Sequence, residues 1–259
     1  MSGYLDYSGR DDVLSGGSRM IPVNTPAGQF RVWVKRVGNN PSLRVLLLHG
    51  GPGATHESFE ACDSYLPAAG IEYYYYDQLG SGYSDQPDEP SLWDLDRFVD
   101  EVEQVRQALG LERDNFVLLG HSWGGILAIE YSLHHQQHLR GLVISSMISS
   151  VPAYNDYAEQ VLMPQMDQAV LAEIKAFEAR GETDNPKYME LLMEHHYVHH
   201  VLRLRRRTGR TRCSARSRAS TRPSTCPCRA PANWVSAPTP AWPTGTGPVN
   251  WPRSTCRPW

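Results

Sequence analysis

The stretch that decides the fold is Phe116-Val117-Leu118-Leu119-Gly120-His121-Ser122-Trp123-Gly124-Gly125. Its four leading apolar residues are typical of a buried strand, and a glycine-rich hexapeptide follows them directly. Glycines on both sides of Ser122 permit a strained strand-to-helix turn, which raises the serine hydroxyl above the edge of a sheet. The pattern alone is a weak signal, because small residues also fill ordinary turns. It predicts a nucleophilic serine only if the rest of the chain supports the same architecture.

A second glycine-rich loop lies upstream. Arg44–Leu48 reads as a buried strand that runs into His49-Gly50-Gly51-Pro52-Gly53. Glycines let backbone N–H groups point at one place, as the oxyanion of an acyl-transfer reaction requires, and the residue after the nucleophile, Trp123, would supply the second donor. A phosphate-binding loop is the alternative interpretation. It is disfavoured because no lysine follows and no Gly-x-Gly-x-x-Gly spacing occurs.

A third motif follows the aromatic strand Tyr73–Tyr76, with the sequence Asp77-Gln78-Leu79-Gly80-Ser81-Gly82-Tyr83-Ser84-Asp85. We expect Asp77 to accept hydrogen bonds from the backbone and to hold the loop, rather than to act as a base. An amphipathic helix is predicted from about Leu92 to Leu109, with one apolar face made of Phe98, Val102, Val105 and Leu109. The sequence thus places the two glycine-rich loops and the strand-to-helix turn at Ser122 in order, each after a strand. We call the turn at Ser122 the elbow.

Together these motifs resemble the proline iminopeptidase (prolyl aminopeptidase) family of α/β-hydrolases, over about residues 15–203. The Pro and Gly after His-Gly-Gly and the Trp after the nucleophile separate this family from generic esterases. The resemblance implies an α/β-hydrolase fold, with a mostly parallel sheet, flanking helices and a helical cap inserted after the sixth strand. It also implies a serine peptidase that releases an N-terminal residue, preferentially proline, without metal or organic cofactor.

The resemblance assigns roles to individual residues. Ser122 would be the nucleophile, and the amides of Gly51 and Trp123 would form the oxyanion hole. The other motif positions are expected to shape the two loops and the elbow: His49, Gly50, Pro52, Gly53, Asp77, Gln78, Gly120 and Gly124. The expected partner is a short peptide with a free N-terminus, bound through acidic side chains of the cap. An ester or amide hydrolase of the same fold and a non-catalytic binding protein remain alternatives.

We predict a hydrolase core over residues 1–150 and the start of the cap over 151–203. Gly141–Ser145 reads as the sixth strand, and two apolar stripes at helical spacing predict packed helices in the cap: Leu162, Met166, Val170, Ile174 and Phe177, then Tyr188, Leu191, Leu192, His195 and Val198. The histidine cluster His195, His196, His199 and His200 has pairs four apart that could bind zinc. No acidic third ligand is placed by a recognisable motif, so a packed or solvated helix is favoured and no metal is assigned.

Composition changes abruptly at Arg203. Residues 1–202 contain all 28 acidic residues against 13 Lys and Arg, a net charge of −15, whereas the last 57 residues contain 12 Arg and no acid, a net charge of +12. The Arg- and Pro-rich tail at 204–259 also has four of the five cysteines and almost no large aliphatic residues. Such a segment buries too little apolar surface to offset its ordering entropy, so we predict that it is disordered.

Three interpretations of the tail compete. An Arg-rich arm could bind nucleic acid, but its basic end has no aromatic residue for base stacking, so no nucleic-acid partner is assigned. Cys213, Cys226, Cys228 and Cys256 could form a metal or disulfide cluster, but their spacing fits no zinc pattern. The favoured interpretation is a shifted reading frame: the codons of Asn233-Trp234-Val235 read in another frame permit Glu-Leu-Gly, and continuing to Ser254 permits an ordinary acidic and amphipathic sequence.

The mechanism depends on this tail, because a serine hydrolase of this fold needs an Asp and then a His after the nucleophile. The last histidine is His200, and neither residue type is recognisable in a triad position. We therefore expect the chain as given to lack the catalytic Asp and His and to be inactive. The absence of a signal-like start and of an apolar run of about 18 residues predicts a cytoplasmic protein without a membrane partner, and Cys62 suits a reducing compartment. The oligomeric state is left open.

Overall fold

The computed structural model describes residues 17–200, which fall into two units at 17–149 and 150–200. The first unit is an α/β layer structure and the second is helical. The strands are β1 (Ser18–Thr25), β2 (Gly28–Val37), β3 (Arg44–Leu48), β4 (Glu72–Asp77), β5 (Phe116–His121) and β6 (Gly141–Ser145). The α-helices are α1 (Leu95–Leu109), α2 (Trp123–His135), α3 (Val151–Tyr157), α4 (Gln168–Ala179), α5 (Pro186–Leu192) and α6 (Val198–His200).

The six strands form one sheet in the order β1-β2-β4-β3-β5-β6. β1 pairs with β2 and β2 with β4 in antiparallel fashion, whereas β4, β3, β5 and β6 run parallel. The predicted mostly parallel sheet is confirmed. Because parallel strands present their carboxyl ends at one edge, the loops that follow β3, β4 and β5 meet there, and these loops carry the three sequence motifs.

Both faces of the central strands are covered. Leu46, Tyr74 and Leu118 lie in the cluster formed with the apolar sides of α1 and α2. Alternate residues of the same strands, such as Leu47 and Tyr75, lie in a second cluster on the other face. Period-two alternation therefore buries both sets of side chains, which explains why β3 and β4 read as continuous apolar or aromatic runs.

The predicted amphipathic helix exists, but the predicted start near Leu92 is wrong. Pro90–Leu92 form a separate 3₁₀ turn, and α1 begins at Leu95 because the Asp94 side chain caps it by accepting a hydrogen bond from the Asp96 N–H at 3.0 Å. The helix ends at Leu109, before Gly110 in the left-handed region. The four residues of its predicted apolar face are buried, and they pack against side chains of the sheet.

The helical unit has its own core, made of Met163, Met166, Leu171, Ile174, Phe177, Tyr188, Leu191 and Leu192. The predicted stripe is wrong at His195, because His196 is the buried histidine and His195 is only partly buried. A π-helical turn at Met193–Tyr197 adds a residue to that turn and rotates the following side chains. Burial, with neighbouring His200 and His199, lowers the pKa of His196.

None of the helices within residues 17–200 combines the length and the hydropathy needed to cross a bilayer. The predictions made for the tail at 204–259 fall outside the described residues. These are the disorder, the shifted reading frame, the nucleic-acid arm and the cysteine cluster.

Candidate active site

Ser122 occupies the turn between β5, which ends at His121, and α2, which begins at Trp123. Its φ of 55° and ψ of −123° lie in a region that L-residues rarely adopt. The turn is held on both sides: the Ser122 N–H donates to the Ser145 carbonyl at 2.9 Å, and the Ser122 carbonyl accepts from the Gly125 N–H at 2.8 Å. A strained serine fixed between a strand and a helix is the geometry of a nucleophile elbow.

The elbow is possible because its glycines allow close approach of the backbone. A Cβ on Gly124 would overlap the Leu48 carbonyl oxygen, and a Cβ on Gly120 would overlap the Gly124 carbonyl oxygen. The first turn of α2 therefore lies directly against the ends of β3 and β5. Any side chain at these positions would push the helix, and Ser122 with it, away from the sheet.

The loop after β3 borders the serine. A Cβ built on Gly50 would be 3.1 Å from the Ser122 Cβ and 3.5 Å from its Oγ. Gly51 follows with a φ of 122°, which only glycine adopts readily. On the other side of the serine, Trp123 is the first residue of α2. The two predicted oxyanion donors thus belong to the segments that flank Ser122, and their role stays a prediction.

A buried hydrogen-bond network joins the three motifs. The Gln78 N–H donates to His49 Nε2 at 3.0 Å, and the Gln78 amide donates to the His49 carbonyl at 3.1 Å. The Gln78 side-chain oxygen accepts from the Trp123 indole at 3.0 Å. Because His49 Nε2 accepts, its proton is on Nδ1, which lies 2.9 Å from the Gly50 carbonyl. His49 therefore positions the loop and has no ring nitrogen to accept a proton from Ser122.

Asp77 is fully buried and braces the loop after β4. Its carboxylate accepts from the His56 N–H at 2.8 Å and the Tyr83 N–H at 3.0 Å, and the His56 Nδ1 lies 2.9 Å from the same group. Burial raises the pKa of Asp77, but the hydrogen bond and charge of His56 outweigh it and leave the pKa below its ordinary value. Sequence reasoning missed His56, which follows the loop that begins at His49. The centroids of the His56 and Trp33 rings are 4.5 Å apart.

Replacing Asp77 with asparagine is expected to lower the free energy of unfolding by about 1.5–3 kcal/mol at pH 7, the range for hydrogen bonds to a buried charge. Since the folded-state pKa is depressed, this contribution is present above the unfolded-state value of about 3.9 and is lost as the pH falls below it. Urea unfolding at pH 7 and at pH 3 measures the change.

The matched control is Asp85→Asn in the same loop, because Asp85 pairs with an exposed arginine, Arg31, at 3.2 Å. We expect it to cost about 1 kcal/mol or less. Equal costs for the two variants, or an Asp77→Asn cost that stays constant down to pH 3, would contradict the assigned role of the buried carboxylate.

No imidazole hydrogen-bonds the Ser122 hydroxyl among residues 17–200, the range that contains all ten histidines. The neighbouring His121 instead places its Nδ1 at 3.3 Å from the Ser145 hydroxyl. Residues 201–259 contain no His, Asp or Glu. The described site thus has a positioned serine and flanking backbone amides, and the absence of a catalytic Asp and His from the chain stays a prediction.

Comparison with known proteins shows the fold family of the chain. The model of the alpha/beta hydrolase fold matches residues 44–180, just over half of the chain. The chain belongs to the α/β-hydrolase fold family. The matched region contains all three motifs, and the predicted fold is confirmed.

Among its relatives, this hydrolase-fold chain is 55% identical over 185 residues to a proline iminopeptidase of Flavobacterium johnsoniae, covering 71% of the chain and 62% of the relative. It is 54% identical over 186 residues to a proline iminopeptidase of Elizabethkingia meningoseptica, covering 72% of the chain and 62% of that relative. The solved structure of a proline iminopeptidase from Mycobacterium smegmatis matches with a TM-score of 0.64 and 29% identity, over 78% of the chain and 66% of that structure. The resemblance to proline iminopeptidases is confirmed, and the chain spans about 62% of the length of these curated relatives.

Proposed function

We propose that this chain carries the nucleophile half of a proline iminopeptidase-type serine hydrolase. In the complete reaction, Ser122 attacks the carbonyl of an N-terminal residue, preferentially proline, and the amides of Gly51 and Trp123 stabilise the oxyanion. The substrate is a short peptide with a free N-terminus, and the free thiol of Cys62 is in keeping with a cytoplasmic setting. The observation that carries the proposal is the backbone of Ser122, whose φ of 55° makes an elbow in a chain 55% identical to a proline iminopeptidase.

We further propose that the 259-residue chain is inactive by itself. A serine hydroxyl is a weak nucleophile without a base to remove its proton, and the described residues place no imidazole there. The sheet supports the same conclusion. Within residues 17–200, β6 is an edge strand, and its large aliphatic residues Leu142, Val143 and Ile144 are 38–44% exposed. The additional length of the relatives would be available to cover this strand and to supply the base.

The test is a hybrid, in which the matched region of this chain is followed by the part of the Flavobacterium johnsoniae relative that lies beyond it. We expect the hybrid to release the chromophore from an anilide of proline and not from its N-acetylated counterpart. The 259-residue chain is expected to be at least about 10³-fold slower, since only binding and oxyanion contacts remain without the base.

Three results would contradict these proposals. Turnover of simple esters without turnover of the proline anilide would favour a different hydrolase of the same fold. Equal rates with the free and the acetylated substrate would exclude recognition of the free amine. Equal activity of the hybrid and the 259-residue chain would refute the proposal that the chain is inactive by itself.

A further inference from the structure

A cluster of metal-ligating side chains lies at the far end of α2 from Ser122. Glu103 of α1, His135 at the end of α2 and His138 just after it offer one ligand atom each, and these atoms all lie within 4.8 Å of one another. Because α2 has 13 residues, the cluster is about 20 Å along the helix from Ser122. It is therefore separate from the candidate active site.

The local sequence brings the two imidazoles to the same side. α2 passes into a 3₁₀ turn at Gln136–His138, and a spacing of three residues there places His135 and His138 next to each other. Their rings are 6.3 Å apart between centroids and inclined by only 26°. The Tyr131 ring stacks on His135 at 4.9 Å, so the imidazole is oriented by a buried side chain.

The carboxylate of Glu103 is held in place across the interface between α1 and α2. Arg106 donates to both of its oxygens at 2.9 and 2.8 Å, Gln107 donates to Oε1 at 2.8 Å, and the Tyr131 hydroxyl donates to Oε2 at 2.7 Å. Metal ligands in proteins are oriented by such outer hydrogen bonds. The arginine keeps this group ionised and aimed at the histidines.

The separation between Glu103 and His135 fits two ligands of one ion better than a direct contact. Glu103 Oε2 lies 4.0 Å from His135 Nδ1, which is too long for a hydrogen bond. Two zinc bonds of about 2.1 Å each at the tetrahedral angle place their ligand atoms about 3.4 Å apart, so the two groups need to approach by about half an ångström. A small movement of the partly exposed imidazoles would bring all three atoms into one coordination sphere.

We propose that Glu103, His135 and His138 bind one zinc ion, with water in the remaining position. Two imidazoles and one carboxylate are a donor set that zinc accepts and that calcium and magnesium, which take oxygen ligands, do not favour. Coordination through Oε2 replaces the hydrogen bond from Tyr131, and the hydrogen bonds from Arg106 and Gln107 remain to orient the carboxylate. The ion would link α1 to α2 and stabilise the packing of these two helices, of which α2 is the helix that follows Ser122.

Isothermal titration of the full chain with zinc chloride tests the site. The cysteines of the tail can also bind zinc, so the measurement is the difference between the wild type and the His135→Ala/His138→Ala double variant, whose altered side chains are only partly buried. We expect the double variant to bind one ion fewer per chain, and we expect zinc to raise the thermal unfolding midpoint of the wild type alone.

The matched control is His195→Ala/His199→Ala, which removes two imidazoles four residues apart from another part of the chain and is expected to leave the stoichiometry unchanged. Glu103→Gln is expected to weaken binding at this site at least tenfold. The proposal is overturned if the His135→Ala/His138→Ala variant binds as many ions as the wild type. It is also overturned if both double variants lose binding equally.

Discussion

Replacing Ser122 with alanine in the hybrid is expected to lower the turnover of the proline anilide by about 10⁶-fold, the scale seen when a serine hydrolase loses its nucleophile. The physical reason is that the hydroxyl forms the covalent bond of the reaction, so no other contact can replace it. Substrate binding should change little, since alanine removes one atom. The measurement is kcat and KM for the two proteins under the same conditions.

The matched control is Ser132→Ala on the same helix. Its hydroxyl donates to the Ile129 carbonyl at 2.7 Å within α2, about 15 Å along the helix from Ser122. We expect this variant to keep the wild-type kcat. If Ser122→Ala retained more than a small fraction of the activity, another residue would have to be the nucleophile, and the elbow would be structural only.

Much of the candidate site follows from local sequence. A short apolar run such as Arg44–Leu48 is typical of a central strand, and a glycine-rich loop directly after such a strand lies at the carboxyl edge of the sheet. Three such strand-and-loop pairs in succession have the order of an α/β-hydrolase, which is why the fold could be predicted. The strained backbone of Ser122 follows in the same way, because glycines flank it on both sides.

The contacts between distant segments could not be predicted in this way. The pairing of His56 with Asp77 joins positions 21 residues apart, at the start of a 3₁₀ helix and at the end of β4, and no periodicity relates one side chain to the other. The approach of Glu103 to His135 depends on how α1 packs beside α2, which the separate amphipathic patterns do not specify. The π-helical turn at Met193–Tyr197 likewise departs from the regular spacing on which the predicted burial of His195 rested.

Replacing Gly124 with alanine is expected to lower the free energy of unfolding by about 3 kcal/mol or more, at the upper end of the costs of overpacking. Intrinsic helix propensity predicts the opposite sign, since alanine is favoured over glycine in a helix by about 0.8–1 kcal/mol. The steric term is larger because the added methyl group would overlap the Leu48 carbonyl oxygen, and this oxygen belongs to a central strand that cannot move aside. Urea unfolding of the single variant measures the result.

Gly141→Ala supplies the matched control, because a Cβ at that position meets only the side chain of Val117, at an ordinary 3.6 Å. We expect its stability to stay within about 1 kcal/mol of the wild type, since a glycine inside a strand contributes no packing of its own. A stabilised Gly124→Ala variant would show that α2 can shift away from β3. The elbow would then be a movable turn, and its strain could not hold Ser122 in place for attack.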